Sequence, residues 1–333
     1  MTPIADLLAA PLSGPPAAGT IHLTRARLDA PPVPLARLEA LLAPEELARA
    51  DRFRFDHLRR RHVVSWGLLR LVLADITGDA PETLRFTRNA HGKPRLDPGP
   101  DHASSQALDR PPSFRGPSFN LAHSDEHLLI GVAREGRLGV DLEAHRDLSD
   151  LEKLARRFFA SEESDSLLSL PSTDRVRAFF RIWARKEAFV KAVGGGLSVP
   201  LRSFAVRLTP EEGNCLVRLD PELLAPFDPA PGGMPAGGVQ PPEDAQPSKG
   251  APPPEGRPAP QASRDPVDWW VASVRPPAEG IRSAPDGRDS AAKETPPLAM
   301  AVAWDRGPAR IRWHAPPASA DPSADPSQLH KED

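Results

Sequence analysis

Proline divides this chain into stretches that can build regular structure and stretches that cannot. Of its 333 residues, 42 are proline. Each fixes φ and lacks the N–H that a helix interior or a central strand requires. Pro226 to Pro266 is dominated by Pro, Gly and Ala. Its few apolar side chains cannot offset the entropy of ordering it, so it is predicted to be a disordered or extended insertion. Pro276 to Pro297 is a second, shorter insertion of that kind. Residues 1–19, interrupted by Pro3, Pro11, Pro15 and Pro16, and residues 316–333 are expected to be flexible. Strand patterns resume after each insertion, so the insertions interrupt a folded body.

Within that body, short strands alternate with helices. Thr20 to Leu28 reads as a first strand. Pro44-Glu45-Glu46 opens a helix that carries Arg49, Arg52 and Arg54. A second helix runs from about Leu58 to Thr77, begins with the basic run Arg59-Arg60-Arg61-His62 and stops at Gly78. Leu84 to Thr87 is a short strand, Asn89 to Pro94 a turn and Asp97 to Pro117 a loop. Ser118 to Leu121 and Leu128 to Ala133 are strands, with His123-Ser124-Asp125 between them. Glu135-Gly136 reads as a hairpin turn into the next strand. Leu151 to Leu168 reads as one helix with Phe158-Phe159 at its centre, and Asp174 to Ala192 as another, ended by Gly194-Gly195-Gly196. Phe204 to Leu208, Cys215 to Leu219, Trp269 to Val274 and Leu298 to Trp304 complete the predicted strands.

Charge and cysteine usage narrow the chemistry. The net charge of −3 excludes a whole-chain polycation suited to nucleic acid. The single cysteine, Cys215, excludes an internal disulfide framework and a Cys-based zinc site. It is compatible with a reducing cytoplasm. Residues 1–19 lack a basic n-region and make a poor signal peptide. No apolar run approaches the roughly 20 residues that span a bilayer. The sequence reads as a cytoplasmic protein whose partners are neither nucleic acid nor membrane.

The chemistry lies in two segments. Arg137-Leu138-Gly139-Val140-Asp141-Leu142-Glu143 alternates apolar and polar residues and reads as a strand end. Asp141 and Glu143 then share one face, while Val140 and Leu142 point into a core. Two carboxylates on one face repel each other, and a cation between them relieves the repulsion. Phe180 to Lys191 contains no Gly or Pro and is rich in helix formers. Positions four apart share a helix face, so Trp183, Glu187 and Lys191 form one stripe. Glu187 offers a third oxygen ligand and Lys191 a positive charge one turn away. Three carboxylates without clustered Cys or His suit a hard cation, and magnesium completes its shell with water and substrate phosphate. Taken singly, each segment has a plainer reading. Asp-x-Glu is often a solvated strand face, and a Glu–Lys pair four apart is often a surface pair worth about 0.2–0.5 kcal/mol.

Together, Gly139-Val140-Asp141-Leu142-Glu143 and Trp183-Ala184-Arg185-Lys186-Glu187-Ala188-Phe189-Val190-Lys191 resemble the 4′-phosphopantetheinyl transferases of the surfactin type, in their tryptophan/Lys-Glu-Ala subgroup. The basic helix around Arg52 to Arg70, the turn His91-Gly92-Lys93-Pro94 and the strand Phe119-Asn120-Leu121-Ala122-His123-Ser124 agree in order. The resemblance spans about Ile21 to Trp304, outside the Pro-rich insertions. It implies an α+β fold of two similar α/β subdomains related by a pseudo-twofold, with coenzyme A in the cleft between them. The expected division is an N-terminal subdomain at 20–117 and a C-terminal subdomain with the metal site at 118–225. The insertion at 226–266 and the final strands at 267–315, with their loop at 276–297, follow.

The resemblance also implies transfer of 4′-phosphopantetheine from coenzyme A to a serine of an apo acyl or peptidyl carrier protein, releasing adenosine 3′,5′-bisphosphate. Asp141, Glu143 and Glu187 resemble the magnesium ligands, and Lys191 the lysine beside the pyrophosphate. Glu187 is also a candidate to accept the serine proton, directly or through a metal-bound water. Arg61, with His62, aligns with the helix that holds the 3′-phosphoadenosine end. Lys93 and His123 match coenzyme contacts. Ala122 and Ala184 depart from the pattern, which often has Ser at the first position and Ser or Thr at the second. Each loses a hydroxyl and no metal ligand. The carrier is expected to present an acidic helix, and the doubled architecture points to a monomer. Two alternatives stand beside this: another metal-dependent phosphoryl or nucleotidyl transfer enzyme, and a non-catalytic carrier-binding module of the same fold. The latter would be expected to lack one carboxylate or the lysine, and all four are present.

Overall fold

The computed structural model describes residues 14–97, 116–208, 214–220, 223, 270–275 and 298–314. The expected insertions at 226–266 and 276–297, residues 1–13 and the tail from 315 lie outside them. The chain is a mixed α+β protein. Its elements are β1 (Thr20–Arg27), α1 (Leu35–Ala40), α2 (Pro44–Ala50), α3 (Asp56–Thr77), β2 (Arg85–Arg88), β3 (Pro94–Asp97), β4 (Ser118–Ser124), β5 (His127–Ala133), β6 (Leu138–Ala144), α4 (Leu151–Phe158), α5 (Ser161–Leu168), α6 (Ser172–Val193), β7 (Phe204–Val206), β8 (Leu216–Leu219), β9 (Trp270–Ser273), β10 (Leu298–Trp304) and β11 (Arg310–His314).

Two sheets stand at the centre. One has the order β11-β1-β5-β4, with β11 parallel to β1 and the other pairs antiparallel. The other is antiparallel, in the order β6-β10-β9. Strand side chains alternate faces, and this alternation sorts the apolar residues into layers. Ile21, Leu23 and Leu129 of the first sheet meet Leu138, Val140 and Val302 of the second in a core between the sheets. Phe119, Leu128 and Ile130 face the other way, against Val64, Leu68 and Val72 of α3. Ala299, Ala301 and Ala303 of β10 face Ala188 and Phe189 of α6. The layering is therefore helix, sheet, sheet, helix. Each fully buried Leu, Ile or Phe side chain contributes roughly 1.5–3 kcal/mol, so these cores are the main source of stability.

Several elements differ from the sequence reading, each for a physical reason. Leu151 to Leu168 is two helices. Phe158 ends α4, and Phe159 and Ala160 are extended. The Glu163 carboxylate accepts the backbone N–H of Ala160 at 2.7 Å, which caps α5 only if the chain leaves the helix there. Arg52 and Arg54 lie beyond α2, which stops at Ala50. His123 and Ser124 belong to β4. Glu135-Gly136 does not make a hairpin: β5 stays between β1 and β4, while β6 pairs with β10. That turn crosses from one sheet to the other. It is held by Trp304 Nε1 donating to Glu135 O at 2.9 Å and by Asp305 accepting from Arg137 N and Nε. Three elements have no sequence counterpart: α1, β3 and β11. The first sheet thus draws strands from both sides of position 117, including β11 near the end of the described chain.

Candidate active site

Gly139 lets β6 and α6 approach each other. A methyl group on it would overlap the backbone oxygen of Ala188 and the backbone nitrogen of Ala192. With that close approach, Asp141, two residues on and facing α6, meets Lys191. Lys191 Nζ donates to Asp141 Oδ1 at 2.6 Å. Asp141 is only 3 % exposed, and its Oδ2 is buried without a hydrogen-bond partner.

Strand β4 fixes β6 from the other side, although the two belong to different sheets. Asn120 Oδ1 accepts from Val140 N at 2.9 Å. Ser124 Oγ accepts from Ala144 N at 3.1 Å and donates to Glu143 Oε2 at 3.3 Å. The sequence reading assigned neither Asn120 nor Ser124 a role. A buried amide inside the Phe-Asn strand was the available signal.

The four groups respond to one another. Burial, and then the Asp141 carboxylate, push Glu143 up to about 7. The same two causes raise Glu187 above the ordinary carboxylate range. Burial also pushes Asp141 upward, opposed by Lys191. Burial acts to lower Lys191, but Asp141, Glu187 and Glu143 hold it above its ordinary value, so it stays an ammonium. Asp141 is thus the hub of a group with three carboxyls and one ammonium. Among the described residues, no group of three or more His, Cys, Asp or Glu side chains is arranged to hold a metal ion. The chemistry of the set still fits a hard divalent cation. Its donors are all oxygen, their charge exceeds that of the one lysine, and Asp141 Oδ2 is an orphaned buried acceptor.

A cleft of about 480 Å³ opens beside this group. Glu187 and Lys191 reach it from α6, His91 and Lys93 from the β2–β3 turn, and Asn120 from β4. Leu121, Phe158, Val190, Leu197 and Val199 make its apolar wall. Asn89 fixes the turn: its Oδ1 accepts from His91 N and Lys93 N, and its Nδ2 donates to Gly194 O at 2.9 Å. Gly194 ends α6 at φ 79°, a left-handed conformation that glycine adopts without strain. Lys93 Nζ donates to Leu138 O at 2.8 Å and Ala192 O at 3.1 Å. Burial, and then Arg95, lower it to about 7.

The remaining candidates lie elsewhere. Arg61 makes a two-pronged ion pair with Asp29, at 2.9 and 2.8 Å. His62 is buried on α3, 5.5 Å from the Phe53 ring and 6.1 Å from the Trp66 ring. His123 is exposed on β4, near enough for its charge to act on Asp141. None of these three lines the cleft. Ala122 and Ala184 are both buried in apolar cores, so a hydroxyl at either position would face the interior. Lys186, next to Glu187, was missed as a structural anchor. It is fully buried, pairs with Glu163 at 2.8 Å and donates to Leu201 O and Phe204 O, both at 2.7 Å.

Known proteins share this arrangement of sequence. A family model described as the 4′-phosphopantetheinyl transferase superfamily matches residues 137–228. The chain is 41 % identical over 192 residues to the 4′-phosphopantetheinyl transferase HetI of Nostoc sp., covering 58 % of this chain and 76 % of that protein. It is 33 % identical over 185 residues to the 4′-phosphopantetheinyl transferase psf-1 of Bacillus pumilus, covering 56 % and 71 %. It is 29 % identical over 172 residues to the 4′-phosphopantetheinyl transferase Sfp of Bacillus subtilis, covering 52 % and 69 %.

Proposed function

This chain belongs to the 4′-phosphopantetheinyl transferase superfamily and is an enzyme of that kind, and from that premise we propose the reaction in detail. It transfers 4′-phosphopantetheine from coenzyme A to a serine hydroxyl of an apo acyl or peptidyl carrier protein and releases adenosine 3′,5′-bisphosphate. What supports this reading is Lys191, which bonds Asp141 at 2.6 Å and lines the cleft together with Glu187, and the upward push of the Asp141 carboxylate on both Glu143 and Glu187.

Asp141, Glu143 and Glu187 are the residues that would hold magnesium. When bound, the ion supplies charge neutralisation at the pyrophosphate and at the leaving bisphosphate. Displacement at phosphorus by an alcohol depends mainly on positioning and on charge neutralisation. Lys191 adds a point charge for the pyrophosphate, and its ammonium is secure at neutral pH because three carboxyls face it. Glu187, which lines the cleft, takes the serine proton at a carboxylate oxygen. The apolar surface of Leu121, Val190 and Val199, with the exposed Leu197 at its rim, suits the apolar stretches of the pantetheine arm. Lys93, His123, Arg61 and His62 are assigned to the coenzyme. Arg61 must exchange Asp29 for phosphate to serve there.

The tryptophan/Lys-Glu-Ala motif supports the surfactin-type subgroup, and a helix over each sheet supports reading the body as two related halves; action as a monomer is part of the proposal. Among the described residues no helix is long and apolar enough to cross a membrane, which is compatible with action in the cytoplasm. The test incubates an apo carrier protein with coenzyme A, magnesium and the enzyme, and reads the intact mass of the carrier. The reading expects the mass of one phosphopantetheine arm on the serine. It also expects Glu187→Ala to add none while still binding the carrier in calorimetry. A wild-type protein that binds carrier and leaves it unmodified is a binding module, and the proposal fails.

A further inference from the structure

One polar side chain of the transfer cleft carries a donor that the fold does not use. Asn120 stands on β4 and is 6 % exposed. Its Oδ1 accepts from Val140 N at 2.9 Å. A backbone N–H meets only the acceptor end of an amide, so this bond settles which way the amide points. It is the only hydrogen bond that the Asn120 side chain makes among the described residues. Unlike Asp141 Oδ2, the Nδ2 end is not shut off from solvent. Asn120 lines the cleft together with Glu187 and Lys191, so its NH2 group opens there.

The amide is held before any ligand arrives. Asn120 pairs with Gly131 across the β4–β5 ladder. A methyl group on Gly131 would overlap Val140 Cγ1, so the missing side chain lets β6 come close enough for Asn120 to reach Val140 N. Ser124, further along β4, accepts from Ala144 N at 3.1 Å. β4 therefore grips β6 on both sides of Asp141 and Glu143. Other donors at this place are already engaged. Lys191 gives one of its three N–H bonds to Asp141. Lys93 gives two to Leu138 O and Ala192 O. Ala122, the next residue on the same face of β4, has no hydroxyl to offer.

We propose that Asn120 binds the coenzyme: its Nδ2 donates to a non-bridging oxygen of the pyrophosphate, beside Lys191. This rests on the transferase reading above. Val140, which orients the amide, immediately precedes Asp141, and Asp141 holds Lys191 at 2.6 Å. The amide and the ammonium are thus placed by neighbouring residues of β6. A pyrophosphate presents more acceptor oxygens than Lys191 alone can serve. A neutral donor suits the position, because a second cation would pair with the carboxyls that already face Lys191. A donor fixed in advance also needs no reorganisation when charge reaches it.

The experiment titrates coenzyme A with magnesium into the full-length wild type, Asn120→Asp and Asn120→Ala by calorimetry, with thermal melts to check the fold. Asn120→Asp keeps the acceptor for Val140 N and loses the donor. Asn120→Ala loses both and adds no charge. Should it melt below the assay temperature, Asn120→Leu, which also lacks donor and charge, replaces it. Both substitutions are expected to weaken coenzyme A binding by about tenfold or more, the effect of losing a hydrogen bond to a charged group. Wild-type affinity in Asn120→Asp, with a loss in the uncharged variant alone, makes the amide a structural acceptor and overturns the proposal. A loss in Asn120→Asp alone reports its added charge and overturns it too. Either result leaves the transferase reading in place. A wild type that binds coenzyme A and leaves the carrier unmodified sinks that reading and not this contact. A wild type that binds no coenzyme A overturns both.

Discussion

Replacing Lys186 with Met tests how the catalytic helix is aimed. The side chains have similar length, so the change removes one ammonium and leaves the packing nearly intact. In the wild type that ammonium is fully buried and has three oxygen partners, on Glu163, Leu201 and Phe204. Removing one member of a buried ion pair costs about 3–5 kcal/mol. Two carbonyls also lose their donor, at roughly 1–3 kcal/mol for each buried group left unpaired. The expected loss is therefore about 5 kcal/mol or more, against a total stability of about 5–15 kcal/mol for a typical protein. The loss also depends on pH. Burial already raises Glu163 above its ordinary value, and Lys186 is among the groups that oppose the rise. Without Lys186 the carboxyl rises further. A carboxyl whose folded value exceeds its unfolded one binds more protons when folded, so its stability contribution declines as pH rises through that window. Lys186→Met is therefore expected to be less destabilising at pH 5 than at pH 8. Urea unfolding followed by tryptophan fluorescence at both pH values measures this. A loss under about 1 kcal/mol, or an equal loss at both, would refute the reasoning.

Gly139→Ala forces a methyl against the α6 backbone. It should cost about 1–3 kcal/mol in urea unfolding and slow transfer in the mass assay, because Asp141 moves away from Lys191. Asp29→Asn frees Arg61 from an exposed pair worth about 0–1 kcal/mol. The melting temperature should hardly move, and coenzyme A should bind several-fold more tightly by calorimetry. Unchanged or weaker binding removes Arg61 from the coenzyme site. Without metal, Glu143 holds its proton up to about pH 7, and a ligating carboxylate must lose it. Magnesium affinity should therefore increase between pH 6 and pH 8, with proton release detected by calorimetry in two buffers of different ionisation enthalpy. An affinity flat across that range excludes Glu143 as a ligand.

What the sequence makes legible here is what depends on neighbours along the chain. α6 shows itself through 22 residues of helix formers and a glycine stop. β6 shows itself through alternation, because its apolar residues enter the intersheet core and its acids face the helix. What depends on distant partners is not legible. The break between α4 and α5 is set by Glu163, whose carboxylate also accepts the backbone N–H of Val206, 43 positions away. β11 exists because its register matches β1 at the opposite end of the chain. Nothing in the basic run shows that Arg61 pairs with Asp29, 32 positions away. The basic run that contains His62 gives no sign that this histidine packs between two aromatic rings.

The Lys-Glu-Ala motif places structure and chemistry on adjacent residues, and helix geometry explains why. Successive residues on a helix are about 100° apart, so Lys186 and Glu187 point in different directions. Lys186 turns into the core and binds α5 through Glu163 and the approach to β7 through two carbonyls. That contact fixes the rotation of α6, and the rotation sets how Glu187 faces the cleft. One turn further on, Lys93 bridges Ala192 O on the helix and Leu138 O on the strand, so the distance from α6 to β6 is set as well. A site that works by positioning depends on both constraints, since reacting groups must be held within a few tenths of an ångström. An arginine at position 186 would keep the charge, but its planar fork cannot occupy the point that one compact ammonium fills among three oxygens. Lys186→Arg should therefore lower the rate of transfer more than it lowers carrier binding, even though Lys186 points away from the cleft.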